Sequence, residues 1–158
     1  MGRTKNKEVS PARDNNCVCD VVEAIADAQD DVLDQHCDIS CARSIQNLVS
    51  PVAGNGLDTV PFILFDKKGK PFKGVGVEVQ QNGSPTFECV ESFIFRVNKV
   101  DDCCAVLELL IFDDETDPCH DPCQQLGKVE DLERTGICIT VDLNCFCAIT
   151  CLPAVSVL

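Results

Sequence analysis

The period of apolar positions along the chain changes once, near residue 58. From Val18 to Leu33 the apolar residues Val18, Val21, Val22, Ile25, Ala28, Val32 and Leu33 recur at helical spacing, with Asp and Glu on the other face. That spacing predicts one amphipathic helix. A second, shorter helix is expected over Cys41 to Leu48, ending before Pro51, because a proline disfavours helical geometry in the residue ahead of it. The stretch SPVAGNG from Ser50 reads as a linker. After Asp58 the period falls to two. TVPFILFD is apolar on both faces, as in a strand covered on both sides, whereas KGVGVEVQ alternates, with Val75, Val77 and Val79 on one face. The turn between them lies within Asp66 to Lys73, with Gly69 at its positive-φ position. Asn82-Gly83 marks a hairpin, after which Phe87, Cys89, Phe93, Phe95 and Val97 share a parity in a third strand. CCAVLELLIF from Cys103 predicts a fourth strand and ICITVDLNCFCAI from Ile137 a fifth. In the fifth, Cys145 and Cys147 share the parity of Ile137, Ile139, Val141 and Leu143, and are expected to face the core.

These elements predict a mainly β chain with an N-terminal helix, an α+β fold. Its body is an antiparallel β-sandwich or barrel of five or more strands, with the helix packed outside it or at one end. Residues 1–15 are polar and read as a disordered arm, 16–50 as a helical segment and 51–158 as the β domain, with 16–158 one compact unit. Between the fourth and fifth strands an acidic loop is expected from Asp113 to Gly136.

Composition adds a puzzle. The 158 residues include 13 cysteines. A chain of this length buries a core without covalent help, so the cysteines are not needed to rescue a small fold. MGRTKNKEVSPARDNN has no apolar core segment of a signal peptide, so synthesis in the cytosol is expected. No run approaches the roughly 20 apolar residues of a membrane span. The odd cysteine count leaves at least one thiol to stay reduced, bind a metal or pair with another chain.

Charge excludes further classes. With 26 acidic against 13 basic residues the net charge is -13, which disfavours nucleic acid and anionic membrane as partners. Seven acids and no base occupy Asp20 to Asp38, and Lys67, Lys68, Lys70 and Lys73 form the basic cluster of the body. The plain reading of the acidic runs is solvated, repulsive surface; the sharper one is that the lysine turn of one subunit meets the acidic helix of another.

The cysteine spacings are Cys17-x-Cys19, Cys37-xxx-Cys41, Cys103-Cys104, Cys119-xxx-Cys123 and Cys145-x-Cys147-xxx-Cys151. None is C-x-x-C, the spacing of thiol oxidoreductases and most structural zinc sites. A metal-binding cysteine-rich protein remains the alternative class, with Cys119, His120 and Cys123 its weak candidate ligands and His36 beside Cys37 and Cys41 a second set. Asp113, Glu115 and Asp117 imitate the start of a calcium loop, but Pro118 stands where that loop needs glycine. No cofactor motif, Walker loop or nucleophile elbow is present, so no cofactor and no enzymatic activity are expected. Adjacent or i, i+2 cysteines rarely bond to each other, since their side chains diverge or lie too far apart. Each is better placed to bond a different partner. For Cys89, Cys145 and Cys147, burial as small hydrophobes in strand cores is the plain alternative.

The segments NCVCDVVE (16–23), DTVPFILFDKKGKPF (58–72), FECVESFIFRV (87–97), DDCCAVLELL (101–110) and CITVDLNCFCAITCL (138–152) resemble the cysteine-rich spore coat proteins of endospore-forming bacteria, the CotY and CotZ crust proteins together with the exosporium protein ExsY. The resemblance implies a structural, non-enzymatic protein that self-assembles into a hexagonal two-dimensional lattice and becomes disulfide cross-linked. It implies synthesis in the mother-cell cytoplasm and deposition on the spore surface, in crust or exosporium. It also implies that the partner is the chain itself, as a homo-hexamer and higher lattice, with other coat or exosporium proteins as further partners. By that resemblance cross-linking carries over onto Cys17, Cys19, Cys103, Cys104, Cys138, Cys145, Cys147 and Cys151, with Cys17, Cys19, Cys103, Cys104, Cys138 and Cys151 the candidates for bonds between subunits. A closed ring needs two unlike patches, and the turn of Lys67, Lys68 and Lys70 against Asp27, Asp30, Asp31 and Asp34 of the first helix supplies them. Cys17 and Cys19, read as lying on the flexible arm, are expected to link rings.

Overall fold

The computed structural model describes residues 17–32, 37–50, 56–112, 120–127 and 131–157, with the side chains of 30–32 left out. The expected arm 1–15, the calcium-like acids Asp113, Glu115 and Asp117, and His36 lie outside the described residues. The chain divides into two compact units, 1–37 and 38–158.

The first unit contains α1 (Cys17–Val32), within a residue of the expected helix. Val18, Val21, Val22 and Ile25 form its apolar stripe. Asp20 in its first turn complements the partial positive charge of the helix N-terminus.

The second unit opens with α2 (Cys41–Leu48), where the Ser40 hydroxyl accepts from the Arg43 N–H and the Val49 N–H closes the last turn on the Ile45 carbonyl. Two links tie α2 to the end of the chain: a Cys41–Cys151 disulfide and a 2.7 Å hydrogen bond from Ser44 Oγ to the Leu152 carbonyl. α2 thus lies with the strands in the unit that begins at residue 38.

Among the described residues seven strands follow, all paired antiparallel: β1 (Phe62–Asp66), β2 (Gly74–Gln80), β3 (Thr86–Ser92), β4 (Ile94–Asp101), β5 (Cys104–Phe112), β6 (Leu132–Asp142) and β7 (Phe146–Cys151). Five form an open sheet in the order β6-β5-β4-β1-β7, and β2 and β3 form a hairpin packed on one face of it. This is the mainly β, antiparallel architecture expected, of the sandwich kind; among the described residues the larger sheet ends at β6 and β7 and does not close into a barrel.

β1 is covered on both faces, as its unbroken apolar run requires. Phe62 and Leu64 join Phe95, Ala105, Leu107, Leu109 and Cys151 in the core under the hairpin, while Ile63 joins Ile94 and Leu110 on the other face. Phe72 connects the layers, its ring 5.7 Å from Phe95 and 5.0 Å from Phe146 between centroids.

The shared face of the hairpin valines holds, while three other expectations fail: the single strand through 86–97, the loop without a helix and the unbroken fifth strand. The hairpin does alternate, but Val75, Val77 and Val79 point outward and the glycines inward: a Cβ on Gly76 would lie 2.3 Å from Ile137 Cγ2, and one on Gly74 2.6 Å from Phe95 Cε1. Close approach of the two layers, not burial of valine, decides which face goes in. The single strand read through 86–97 is two, because the chain bends at Phe93 and switches sheets. Ser92 Oγ, held by Ile94 N, the Leu110 carbonyl and Gln125 Nε2, fixes that corner, and Gln125 Oε1 accepts from Phe93 N. Gln125 comes from α3 (Pro122–Leu126), a helix inside the stretch read as loop. Its start is written in the sequence: Asp121 caps it by accepting from Gln124 N, and Pro122 holds the first helical position. Last, the fifth strand is broken by a 3-10 turn at Leu143–Cys145, which resets the parity. Cys145 and Cys147 are exposed, and so is Cys89, whose side of the hairpin faces outward.

Candidate functional site

The cysteines separate into two groups. Cys41 and Cys151 are bonded within the chain, and Cys151 is 7% exposed in the core. Its expected role between subunits is thus corrected: its β7 position opposite Phe62 turns it inward, onto α2. The other described cysteines, Cys17, Cys19, Cys37, Cys89, Cys103, Cys104, Cys123, Cys138, Cys145 and Cys147, are all exposed.

Their settings differ. Cys17 and Cys19 lie in the first turn of α1, not on the arm, and Cys19 Sγ is 3.9 Å from Glu23 Oε1. Two residues apart on a helix, they point to opposite sides and cannot bond each other. Cys103 and Cys104 end the tight turn between β4 and β5, where Asp102 and Cys103 both hold positive φ, 51° and 68°. Such a hairpin turn favours Asn-Gly, so a cysteine in the left-handed region carries a backbone cost. The turn is anchored from outside by the Leu143 N–H, which donates to the Cys103 carbonyl at 2.8 Å. The 3-10 turn bearing Cys145 is thereby fixed beside Cys103 and Cys104 at one end of the sandwich.

Cys138 is less suited to exchange. It pairs across β5–β6 with Glu108, its Sγ 3.6 Å from Asn98 Nδ2. Burial, and after it the charge of Glu108, push its thiol pKa up. The thiolate is the nucleophile in disulfide exchange, so Cys138 is disfavoured as a cross-linking residue at neutral pH.

Glu108 itself is fully buried. Arg134 grips it with Nε at 3.0 Å from both carboxylate oxygens and Nη2 at 2.8 Å from Oε1; Asn98 Nδ2 and the Gly136 N–H also donate to it. Burial raises the carboxyl pKa, but the hydrogen bonds from Arg134, Asn98 and Gly136 outweigh it and leave it lowered. This is a buried carboxylate fully satisfied by an exposed guanidinium and two further donors, and it fixes the β5–β6 register around the bulge at Glu108/Leu110. The sequence shows no sign of it, since Glu108 stands alone in an apolar run.

The lysine turn is well ordered by its own carboxylate. Asp66 Oδ1 accepts from Lys68 N at 2.9 Å and Lys70 N at 3.0 Å, and Gly69 takes φ 81° as expected. Lys67, Lys68 and Lys70 are exposed, while Lys73 pairs with Glu91 at 3.2 Å and lies over the Phe93 ring. Cys147 Sγ donates to the Asp66 carbonyl at 2.8 Å, so a thiol sits beside this turn. On the acidic side, Asp27 is exposed on α1; the side chains of Asp30 and Asp31, and all of Asp34, lie outside the described residues.

Of the weak metal candidates, His120 and Cys123 are exposed and Cys119 lies outside the described residues. Cys41 of the second set is consumed in the disulfide. Among the described residues no group of three or more His, Cys, Asp or Glu is placed to hold a metal ion, and no helix is long and apolar enough to cross a membrane.

Comparison with known proteins places this geometry in context. The sequence model of the spore coat protein Z family matches residues 5–154. Spore coat protein Z of Bacillus subtilis strain 168 is 39% identical over 140 residues, covering 87% of this chain and 89% of the relative. No solved structure matches.

Proposed function

Because the chain belongs to the spore coat protein Z family, a group of cysteine-rich structural components of the spore coat, we propose that it is a self-assembling subunit of a hexagonal two-dimensional lattice, closed into rings by charge and then made durable by disulfides between subunits. The observation that carries this reading is the split among the cysteines. One pair fastens the fold, and the other described ones are exposed. A globular chain gains nothing for its own core from exposed thiols, whereas a lattice gains one cross-link for each pair that meets. Cys103, Cys104, Cys17 and Cys19 are the favoured cross-linking residues; Cys138 ranks behind them for the reasons above.

The ring contact is heterologous: Lys67, Lys68 and Lys70 on their ordered turn meet the acids of α1 on the next subunit, Asp27 with Asp30, Asp31 and Asp34. Exposed charge pairs contribute little singly, about 0.2–1 kcal/mol each, but a lattice repeats them. Synthesis in the mother-cell cytoplasm and deposition on the spore surface, in crust or exosporium, fit thiols that oxidise after assembly. Other coat or exosporium proteins are expected at the same lattice, and the chain acts as structure, without a catalytic role.

Electron microscopy of the purified chain tests this directly. Ordered sheets are expected, resistant to dilution after oxidation and loosened by reductant. Changing Lys67, Lys68 and Lys70 together to Glu should abolish rings at low salt, and raised salt should weaken the wild-type rings. A chain that stays monomeric in both redox states, or rings indifferent to the triple substitution and to salt, would overturn the reading.

A further inference from the structure

The outer face of the β2–β3 hairpin is built the wrong way round for a surface that stays in water. The register pairs Val75 with Glu91, Val77 with Cys89 and Val79 with Phe87. On this face Val75, Val77 and Val79 are 52%, 53% and 45% exposed and Phe87 is 73% exposed, while the inner face carries Gly74 and Gly76. Antiparallel sheets with one wet face normally put the polar residues there. Here a ladder of apolar side chains is wet, with the Lys73–Glu91 ion pair at one end and a thiol at its centre.

We propose that this face docks on the same face of a second copy, in a twofold contact that sets Cys89 against Cys89. The inference deepens the assembly reading and rests on it for its setting. The ladder itself argues for a second copy. A twofold axis lying in the face and running across the strands brings the central pair, Val77 and Cys89, onto its own symmetry mate. The same operation lays the Val79–Phe87 end over the Val75–Glu91 end strand for strand, so Val79 covers Val75 of the other copy, Phe87 lies over its Glu91, and the two Glu91 carboxylates stay apart. An axis along the strands and midway between them would instead set Val77 over Cys89 and Val75 over Glu91, and would hold the two thiols apart. The twofold across the strands gives the central thiol a mate of its own.

Area sets the strength of the contact. The patch offers on the order of 400 Å² per copy, the size of a functional patch on a monomer. A stable complex needs about 800 Å² per partner. The bare contact is therefore weak, and the disulfide turns it into a permanent one. The Cys89 thiolate of one copy attacks a low-molecular-weight disulfide and releases one thiolate. The second Cys89 thiolate attacks the resulting mixed disulfide and releases the other. Each Cys89 loses its proton, and the oxidant takes both electrons. A twofold contact of this kind is also what joins one closed ring to the next, a link that the lysine–acid contact within a ring does not supply.

The test uses the full chain with Lys67, Lys68 and Lys70 changed to Glu, oxidised with glutathione disulfide and mapped by non-reducing peptide mass spectrometry. A Cys89–Cys89 peptide is expected. Phe87→Asp, at a solvent-facing position, should lower its yield about tenfold, the effect of roughly 1.4 kcal/mol on association, with an unchanged far-ultraviolet circular dichroism spectrum; Phe87→Leu should largely keep it. Cys89 found joined to Cys17 or Cys19 would mean that α1 occupies the face and would overturn the proposal, as would a Cys89–Cys89 yield indifferent to Phe87→Asp. Micrographs separate the two readings. Wild-type sheets that persist unaltered in Phe87→Asp refute this contact alone, whereas Phe87-dependent dimers from a wild-type chain that forms no sheets leave the contact standing and refute the lattice.

Discussion

Removing the Cys41–Cys151 bond should destabilise the β unit without touching assembly chemistry. The bond joins residues 110 apart in sequence, so it closes a loop containing every strand. In the chain-entropy limit, cross-linking a loop of that length removes unfolded-state freedom worth about 4.7 kcal/mol at 25 °C. Measured values fall below that limit, because unfolded chains are already partly compact, so the expected loss for Cys41→Ala with Cys151→Ala is about 2–4 kcal/mol. Alanine is the better choice than serine at 151, since Cys151 packs beside Phe62 and Leu107, where a hydroxyl would lack a partner. The other thiols must first be silenced by alkylating the soluble native protein, which leaves the bonded pair alone. With no Trp or Tyr in the chain, urea unfolding is followed by far-ultraviolet circular dichroism. The unbridged variant should also show a larger m value, its unfolded state being more expanded. Two results would refute the reasoning: a loss below about 1 kcal/mol, far outside the range for a long loop, or alkylation of Cys41 or Cys151 in the native protein without reductant.

Two further perturbations probe the framework behind the assembly surfaces. Glu108→Gln should cost about 1–3 kcal/mol by leaving hydrogen-bond donors of Arg134 and Gly136 less well matched. It should also flatten the acid limb: the folded-state pKa of Glu108 is lowered, so its contribution is complete above the ordinary carboxyl range and fades as pH falls through the folded value. Urea midpoints that drop equally in wild type and variant between about pH 6 and pH 3 would contradict this assignment. Gly76→Ala should cost about 1–3 kcal/mol, because its Cβ would meet Ile137 Cγ2 at 2.3 Å. Pairing it with Ile137→Ala should recover part of that loss in a double-mutant cycle, and strict additivity would argue against the close approach.

Strand periodicity located the sandwich, and local turn chemistry located Gly69 and Asn82-Gly83, because these features are decided within a few residues. What the pattern hid was decided by contacts distant in sequence. Val75, Val77 and Val79 alternate cleanly, but alternation does not say which face is inside; the glycines do, through a layer that Ile137 and Phe95 bring from far along the chain. The sheet switch at Phe93 likewise depends on Gln125, 32 residues away. Asp121-Pro122 announced α3, yet the acidic run around it read as loop.

The cysteines show the same division more sharply. Spacing excluded local pairing for neighbouring thiols and so pointed outward, which the exposed positions match. Spacing had no means of separating Cys151 from Cys147, four residues apart, though one lies in the core against α2 and the other beside the lysine turn. Nor did it separate Cys138 from Cys104. Both lie on the same side of the sheet at exposed positions, but partial burial of its thiol, and after it the charge of Glu108 opposite, raise the pKa of Cys138. A thiol becomes a cross-link only if it is reachable, ionisable and met by a partner, and each condition is set by a different neighbour. Cys103 and Cys104 meet the first through a turn that holds Cys103 in the left-handed region, which a glycine there would adopt at lower backbone cost. That a cysteine stands where glycine fits better argues that its sulfur, not the turn, is what the position is for.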